Sequence, residues 1–262
     1  MSTFQAKKNE HLTEIVDGKS VELLSKAAMD RFDESLLGLG VISQPSKAID
    51  SIAAVFDLEG FTNFCKQIEP HLPVPLFLST FLKWLMDEIK GEMIRKNHPK
   101  GSSLWSPLPY FVKFMGDGLL VLWDSTSMSD AQRRNVIAAC KNIRRKYSTK
   151  FVPTISDKVV DIPHRLRCGL ARGTVYSVGD GNDYVGSCIN MAARLQKLPG
   201  LSFAFNRRGI DLATENAFYK NDVLIKRIAI RGIGENELIG VLKIEFTALS
   251  DADKTFYRNA IG

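Results

Sequence analysis

Two aspartates in this 262-residue chain stand where an acidic side chain has no packing role. Asp57 ends the apolar run SIAAVF (51–56), and Asp117 sits in the turn of KFMGDGLLVLW (113–123). A carboxylate at the end of a buried strand is costly unless its charge is paired or bound to a metal. Two such carboxylates close together can hold two divalent cations, which neutralise the attacking and leaving oxygens of a phosphoryl displacement. A Gly-Asp-Gly turn by itself is more often plain turn chemistry, so this pair needs company before it carries a function. Asn190 and Arg194 stand four residues apart, which puts them on one face of a helix. Without context they read as an exposed polar face.

The elements that must position these residues can be read from periodicity. SIAAVFDLEGFT (51–62) is a buried strand that delivers Asp57 at its tip. Pro73 and Pro75 precede a long helix with Leu76, Phe77, Phe81, Leu82, Leu85, Met86 and Ile89 on one face. A loop rich in Gly, Ser and Pro (99–109) leads to a hairpin that turns at Asp117. Helices are expected over 129–150 and 189–196, and strands over 164–179, 201–206 and 223–230, with a last hairpin closing through Gly232–Gly234. This order, ending in antiparallel β, fits an α+β sandwich better than a doubly wound parallel sheet. Upstream, Val21, Leu24, Ala28, Phe32 and Leu36 recur at helical spacing, and Gly38, Gly40 and Pro45 break the pattern. Residues 1–48 are therefore expected to be a helical N-terminal extension and linker, and 49–262 the catalytic domain.

Composition narrows the class. With 45% hydrophobic and 24% charged residues, the chain can build one sizeable core. Its net charge of +6 suits an anionic ligand, but the basic clusters carry no interleaved aromatics, so no nucleic-acid footprint stands out. Cys65, Cys140, Cys168 and Cys188 form no CxxC pair, which disfavours a zinc site or a secreted disulfide framework. No run approaches the roughly 20 apolar residues of a membrane helix, and a cytoplasmic protein without membrane insertion is expected. There is no GxxxxGK[ST] and no GxGxxG after a strand, so P-loop and Rossmann readings lack support.

VFDLEGFTNF (55–64), KFMGDG (113–118) and DYVGSCINMAARL (183–195), in that order, resemble the catalytic domain of class III adenylate and guanylate cyclases over roughly residues 50–246. The resemblance implies a ferredoxin-like palm, an α+β sandwich whose central, mainly antiparallel sheet is flanked by helices. It implies an enzyme that closes a nucleoside triphosphate into a 3',5'-cyclic monophosphate with two divalent cations, Mg2+ or Mn2+. On it, Asp57 and Asp117 match the metal-binding aspartates, with Leu58 as a further metal position. The backbone of the turn to Phe61 and Thr62 matches the cradle of the outer phosphates. Asn190 and Arg194 match the pair that orients the ribose and stabilises the transition state. Family members form head-to-tail dimers with metals on one subunit and Asn and Arg on the other, so a homodimer with shared sites is expected. The chain departs from the pattern where the late phosphate-contacting lysine would stand: that position is Ile233, and Arg231 or Lys226 would have to substitute. A second departure is the 60-residue spacing from Asp57 to Asp117, longer than in the common mammalian-type domain.

Lys113 and Asp183 match the positions that read the base, a donor and an acceptor that suit adenine, cytosine or uracil better than guanine. The stretches 61–85 and 106–124 resemble the stand-alone bacterial pyrimidine cyclases of the Pycsar anti-phage system, which implies UTP or CTP as substrate and a separate effector that reads the product. The alternatives are an adenylate cyclase making cyclic AMP and a catalytically silent nucleotide-binding module. Loss of Asp57, Asp117, Asn190 or Arg194 would favour the silent module, and all four are present. A diguanylate cyclase would want a GGDEF-like turn where this chain has MGDGL.

Overall fold

The computed structural model describes residues 4–67, 69–208, 210 and 217–259, so the first three and last three residues of the expected domains lie outside it. The described chain forms two compact units, one of residues 1–48 with 176–185, the other of 49–175 with 186–262.

The first unit corrects the helical reading of the N-terminus. β1 (His11–Val16) and β2 (Lys19–Leu24) form an antiparallel hairpin in which Val16 pairs with Lys19. Asp17 and Gly18, with φ of 51° and 74°, are its two-residue turn. Asp-Gly is the pair that accepts two positive φ values in a hairpin turn whose twist suits the flanking strands. That local signal overrides the helical spacing of Val21 and Leu24, and the described helical segments of the unit are α1 (Lys26–Asp30), capped by Ser25, and 3₁₀ turns at Lys8–Glu10 and Glu34–Leu37. In the same unit, the amide of Lys47 donates to Ser177 Oγ at 2.9 Å and the amide of Asp180 donates to the Leu39 carbonyl at 3.0 Å.

The second unit begins with β3 (Ala48–Glu59), then α2 (Phe61–Phe64) and α3 (Pro73–Met93). The expected Gly/Ser/Pro loop contains a small hairpin, β4 (Ile94–His98) with β5 (Gly101–Leu104). There follow β6 (Phe111–Phe114), β7 (Gly118–Asp124), α4 (Asp130–Lys146), one π-type turn over Tyr147–Phe151, α5 (Val152–Ile155) and β8 (Arg165–Val178). β9 (Asp183–Val185), in the first unit, pairs with the last residues of β8. The chain continues through α6 (Ser187–Leu195), β10 (Phe203–Asn206), α7 (Ala217–Asp222), β11 (Val223–Ile230), β12 (Gly234–Leu242), α8 (Lys243–Thr247), α9 (Asp251–Lys254) and β13 (Arg258–Asn259). The sheet order is β13-β11-β12-β10-β8-β3-β7-β6, antiparallel at every described pairing except the parallel β8–β10 contact.

Strand alternation assigns the two faces different work. Ile52, Ala54, Phe56 and Leu58 of β3, Leu119, Val121 and Trp123 of β7, and Cys168 and Leu170 of β8 join one core with α3 and α4. α3 buries Phe77, Phe81, Leu85, Ile89 and Met93, a four-residue repeat that is one stripe of a helix. Phe77, Phe81, Tyr147 and Phe151 meet edge-on or stacked with centroids 5.3–6.0 Å apart. The opposite face presents Asp57, Lys113 and Arg167, and α6 lies against it. Gly169 makes that contact possible: a Cβ there would collide with the Ala192 carbonyl oxygen.

Phe81→Ala empties the middle of the aromatic cluster. A loss of about 3–5 kcal/mol is expected, read as a lower denaturation midpoint at unchanged slope in urea.

Candidate functional site

The register of β3 and β7 sets the acidic pair. Asp57 is opposite Gly118, and the amide of Leu58 donates to the Asp117 carbonyl at 2.9 Å, so the two aspartates sit on adjoining strand ends. Gly118 lets the strands approach: a Cβ there would collide with the Phe56 carbonyl. Asp57 is only 6% exposed, and Asp117 is half-buried.

A cation that the sequence reading passed over completes this end of the sheet. Arg167 of β8 donates to Asp57 Oδ2 through Nε at 3.0 Å and Nη2 at 2.5 Å. One step along, Arg165 Nε donates to Glu59 Oε2 at 2.5 Å, and Arg167 Nη1 lies 3.9 Å from Glu59 Oε1. The signal was in the sequence: in HRLRCG, arginines alternate with Leu166 and Cys168, which are buried in the helix-covered core. Charges that alternate with core residues on a central strand must find buried partners.

The oxygen donors fit hard divalent cations. Both Arg167 bonds fall on Asp57 Oδ2; Oδ1 and the Asp117 carboxylate have no hydrogen-bond partner among the described residues. No group of three or more His, Cys, Asp and Glu side chains able to hold a metal occurs among the described residues. Magnesium is commonly held by one or two carboxylates plus substrate phosphates rather than by an all-protein cage. Beyond β3 the chain turns at Gly60, φ 92°, into α2, where Asn63 and Phe64 donate back to the Gly60 carbonyl. The amides of Phe61 and Thr62 make no hydrogen bond within the described residues, as expected for the first turn of a helix. Thr62 is exposed, and Phe61 packs partly against the core.

Asn190 and Arg194 are exposed on α6, whose Cys188, Met191, Ala192 and Leu195 face inward. Arg194 Nη1 donates to the backbone carbonyl of Arg231 in the β11–β12 turn, beside Gly232, whose φ is 74°. The Arg231 side chain is exposed there, so Arg194 and Arg231 form a second group. Lys226 belongs elsewhere, bonding Asn259 at 3.0 Å and lying over the Phe246 ring.

One chain does not bring these two groups together. Cys168 pairs with Phe203, and Ala204 with Val241, so Leu242 is level with the Asp57 end of the sheet and Gly234 is at the other. The length of β12 separates them by roughly 26 Å, with about 14 Å more across three strand spacings. The base-reading candidates are placed on strands: Lys113 on the edge strand β6, opposite Leu120, and Asp183 at the start of β9 in the first unit, its Oδ1 accepting from the Tyr184 amide at 2.8 Å.

Solved structures share this architecture. The adenylyl cyclase CyaB from P. aeruginosa matches with a TM-score of 0.55 at 14% identity, covering 76% of this chain and 96% of that one. The guanylyl cyclase Cya2 matches at 0.54 and 15%, covering 76% and 94%. The catalytic core of a rhodopsin-guanylyl cyclase with converted specificity, in complex with ATPαS, matches at 0.51 and 16%, covering 76% and 98%. The fold is that of the class III nucleotide cyclases. No protein-family model and no curated relative matches the sequence. No helix among the described residues is long and apolar enough to cross a membrane.

Burial raises the Glu59 carboxyl, but the Arg165 hydrogen bond and the charges of Arg165, Arg167 and His164 outweigh it and hold the group below its ordinary 4.5. A depressed folded value stabilises the fold above the unfolded value, and that contribution disappears as pH falls through the folded one. The difference in Tm between the wild-type protein and Glu59→Gln should therefore be largest near neutrality and shrink as pH drops below about 4.5, which a thermal-melt series across pH 3–7 checks.

Proposed function

We propose that this chain is a nucleotide cyclase that works as a head-to-tail pair of identical subunits, converting a nucleoside triphosphate to a 3',5'-cyclic monophosphate and pyrophosphate. The observation that carries the reading is the separation just described. The carboxylates Asp57 and Asp117, with Arg167, occupy one end of the exposed sheet face, and Asn190, Arg194 and Arg231 gather at the other. An antiparallel second copy sets the first group of one chain against the second group of its partner, making two composite sites related by the two-fold axis.

In such a site Asp57, Asp117 and the Leu58 carbonyl hold the divalent cations. Those cations, when bound, neutralise charge on the phosphates and favour the deprotonated 3'-hydroxyl. Arg167 lies where a phosphate oxygen can take over its hydrogen bonds from Asp57, and the amides of Phe61 and Thr62 offer donors that need no charged side chain. Asn190 orients the ribose. The 3'-oxygen forms its bond to the α-phosphorus as the bond to pyrophosphate breaks, and Arg194 meets the charge that develops there. Arg231 supplies a cation to the outer phosphates in place of the missing lysine at 233.

For the base, the reading is a pyrimidine, UTP ahead of CTP, with Lys113 and Asp183 as donor and acceptor. It rests on the resemblance of 61–85 and 106–124 to stand-alone pyrimidine cyclases, and it implies a product that a separate effector reads in anti-phage defence. Incubation of the purified protein with manganese and each of the four triphosphates, followed by mass spectrometry, decides it. Cyclic UMP or cyclic CMP is expected. Cyclic AMP as the only product overturns the base assignment and leaves the cyclase, whereas no cyclic product from any of the four removes the cyclase as well.

Asp57→Ala and Arg194→Ala should each lower kcat by about 10²–10³-fold or more. Mixed in equal amounts, the two should recover about a quarter of wild-type activity, because half of randomly paired dimers hold one intact site of two. Arg167→Ala should raise KM for the triphosphate by roughly tenfold, the loss of one charge-assisted contact.

A further inference from the structure

The helix-covered face of the second unit carries a cavity of about 430 Å³ that the catalytic reading leaves unused. Its walls come from three places. The last two turns of α4 give Lys141, Arg144 and Arg145, the end of α7 gives Asn221 and Asp222, and the junction of β12 with α8 gives Leu242, Lys243, Ile244 and Thr247. Asp57 and Arg167 occupy the other face: Cys168, next to Arg167, points into the α3–α4 core, and Arg144 of α4 bonds Ser202 beside β10 on that side.

The charge in this cavity is lopsided. Four cations line it against one carboxylate, Asp222. Two of the cations are already matched: Arg144 Nη1 lies 2.5 Å from Glu245 Oε1, and Lys141 Nζ lies 3.6 Å from Asp222. Arg145 and Lys243 have no ion pair or side-chain hydrogen bond among the described residues, and Nε of Arg144 is buried without a partner. Basic side chains in the last turn of a helix can simply offset its dipole. That account fits Arg145 but does not reach Lys243, which opens a different helix. Beside these donors, Leu242 and the 78%-exposed Ile244 give the cavity an apolar wall. Its volume is in the range of small-molecule sites.

We propose that this cavity is a second ligand site, for a small phosphorylated molecule with an apolar or aromatic body, of the size of a nucleoside monophosphate. The phosphoryl group lies between Arg145 and Lys243, and the body lies on Leu242, Ile244 and Thr247. The inference does not depend on the cyclase reading, because none of these residues belongs to the catalytic groups.

Isothermal titration of the full chain with UMP or AMP in EDTA tests it, since chelation removes the cations that the catalytic site needs. One equivalent per chain is expected, weakened at least tenfold in Arg145→Glu/Lys243→Glu and unchanged in Asp57→Ala. Both reversed positions are exposed, so the double variant should stay folded, with no more than the small fall in melting temperature that an acid in the last turn of α4 brings. No saturable binding in EDTA, binding indifferent to the reversals, or binding lost in Asp57→Ala each overturns the site. Inorganic phosphate titrated alone should bind more weakly than either nucleotide; equal affinity overturns the role given to the apolar wall.

Discussion

An almost fully buried carboxylate on a central strand has to be answered by a cation, and the pairing of Asp57 with Arg167 governs how the functional end of this sheet is built. Breaking such a pair leaves an uncompensated buried charge, which costs far more than the intact pair contributes. β3 and β8 must therefore lie side by side with Asp57 level with Arg167. Glu59 with Arg165 repeats the match two residues on, as an antiparallel alignment requires. With β8 fixed against β3, β7 fixed on its far side by backbone pairing brings Asp117 to the same end.

Strand alternation then separates stability from chemistry. Ile52, Ala54, Phe56 and Leu58 of β3 disappear into the α3–α4 core, where Phe77, Phe81, Tyr147 and Trp123 are fully buried. The opposite side carries Asp57 and Glu59, and on β8 beneath α6 the small Gly169 admits a helix at close range. A single strand thus supports a dry core on one side and a polar ligand surface on the other. The same alternation places Arg144 and its cavity on the side away from Asp57.

Much of the site-bearing framework was legible because strong local signals agreed with the fold. The apolar run into Asp57, the Gly116–Gly118 turn, the long helix α3 and the amphipathic α6 all appear where the sequence places them, but the buried stripe of α3 is narrower than expected, with Leu76 and Met86 exposed. Two hairpins were missed, each because a turn signal competed with another pattern. At Asp17–Gly18 a two-residue turn outweighed helical spacing, and at 99–100 a polar loop concealed the short pairing of β4 and β5. Arg167 was missed for a different reason: its importance depends on which strand lies next to β8, and strand order is a long-range property. The separation of Asp57 from Arg194 likewise follows from the register of four strands, none of which a single motif encodes.

The bond from Arg194 to the Arg231 carbonyl shifts evolutionary constraint from composition to length. Any amino acid can supply a main-chain oxygen, so the hold on the Arg194 guanidinium does not depend on the side chain at 231, which stays available for the outer phosphates. Adding or deleting a residue in β11 or β12 would displace the oxygen itself. Away from Arg231 the hairpin should therefore tolerate substitutions far more readily than insertions or deletions.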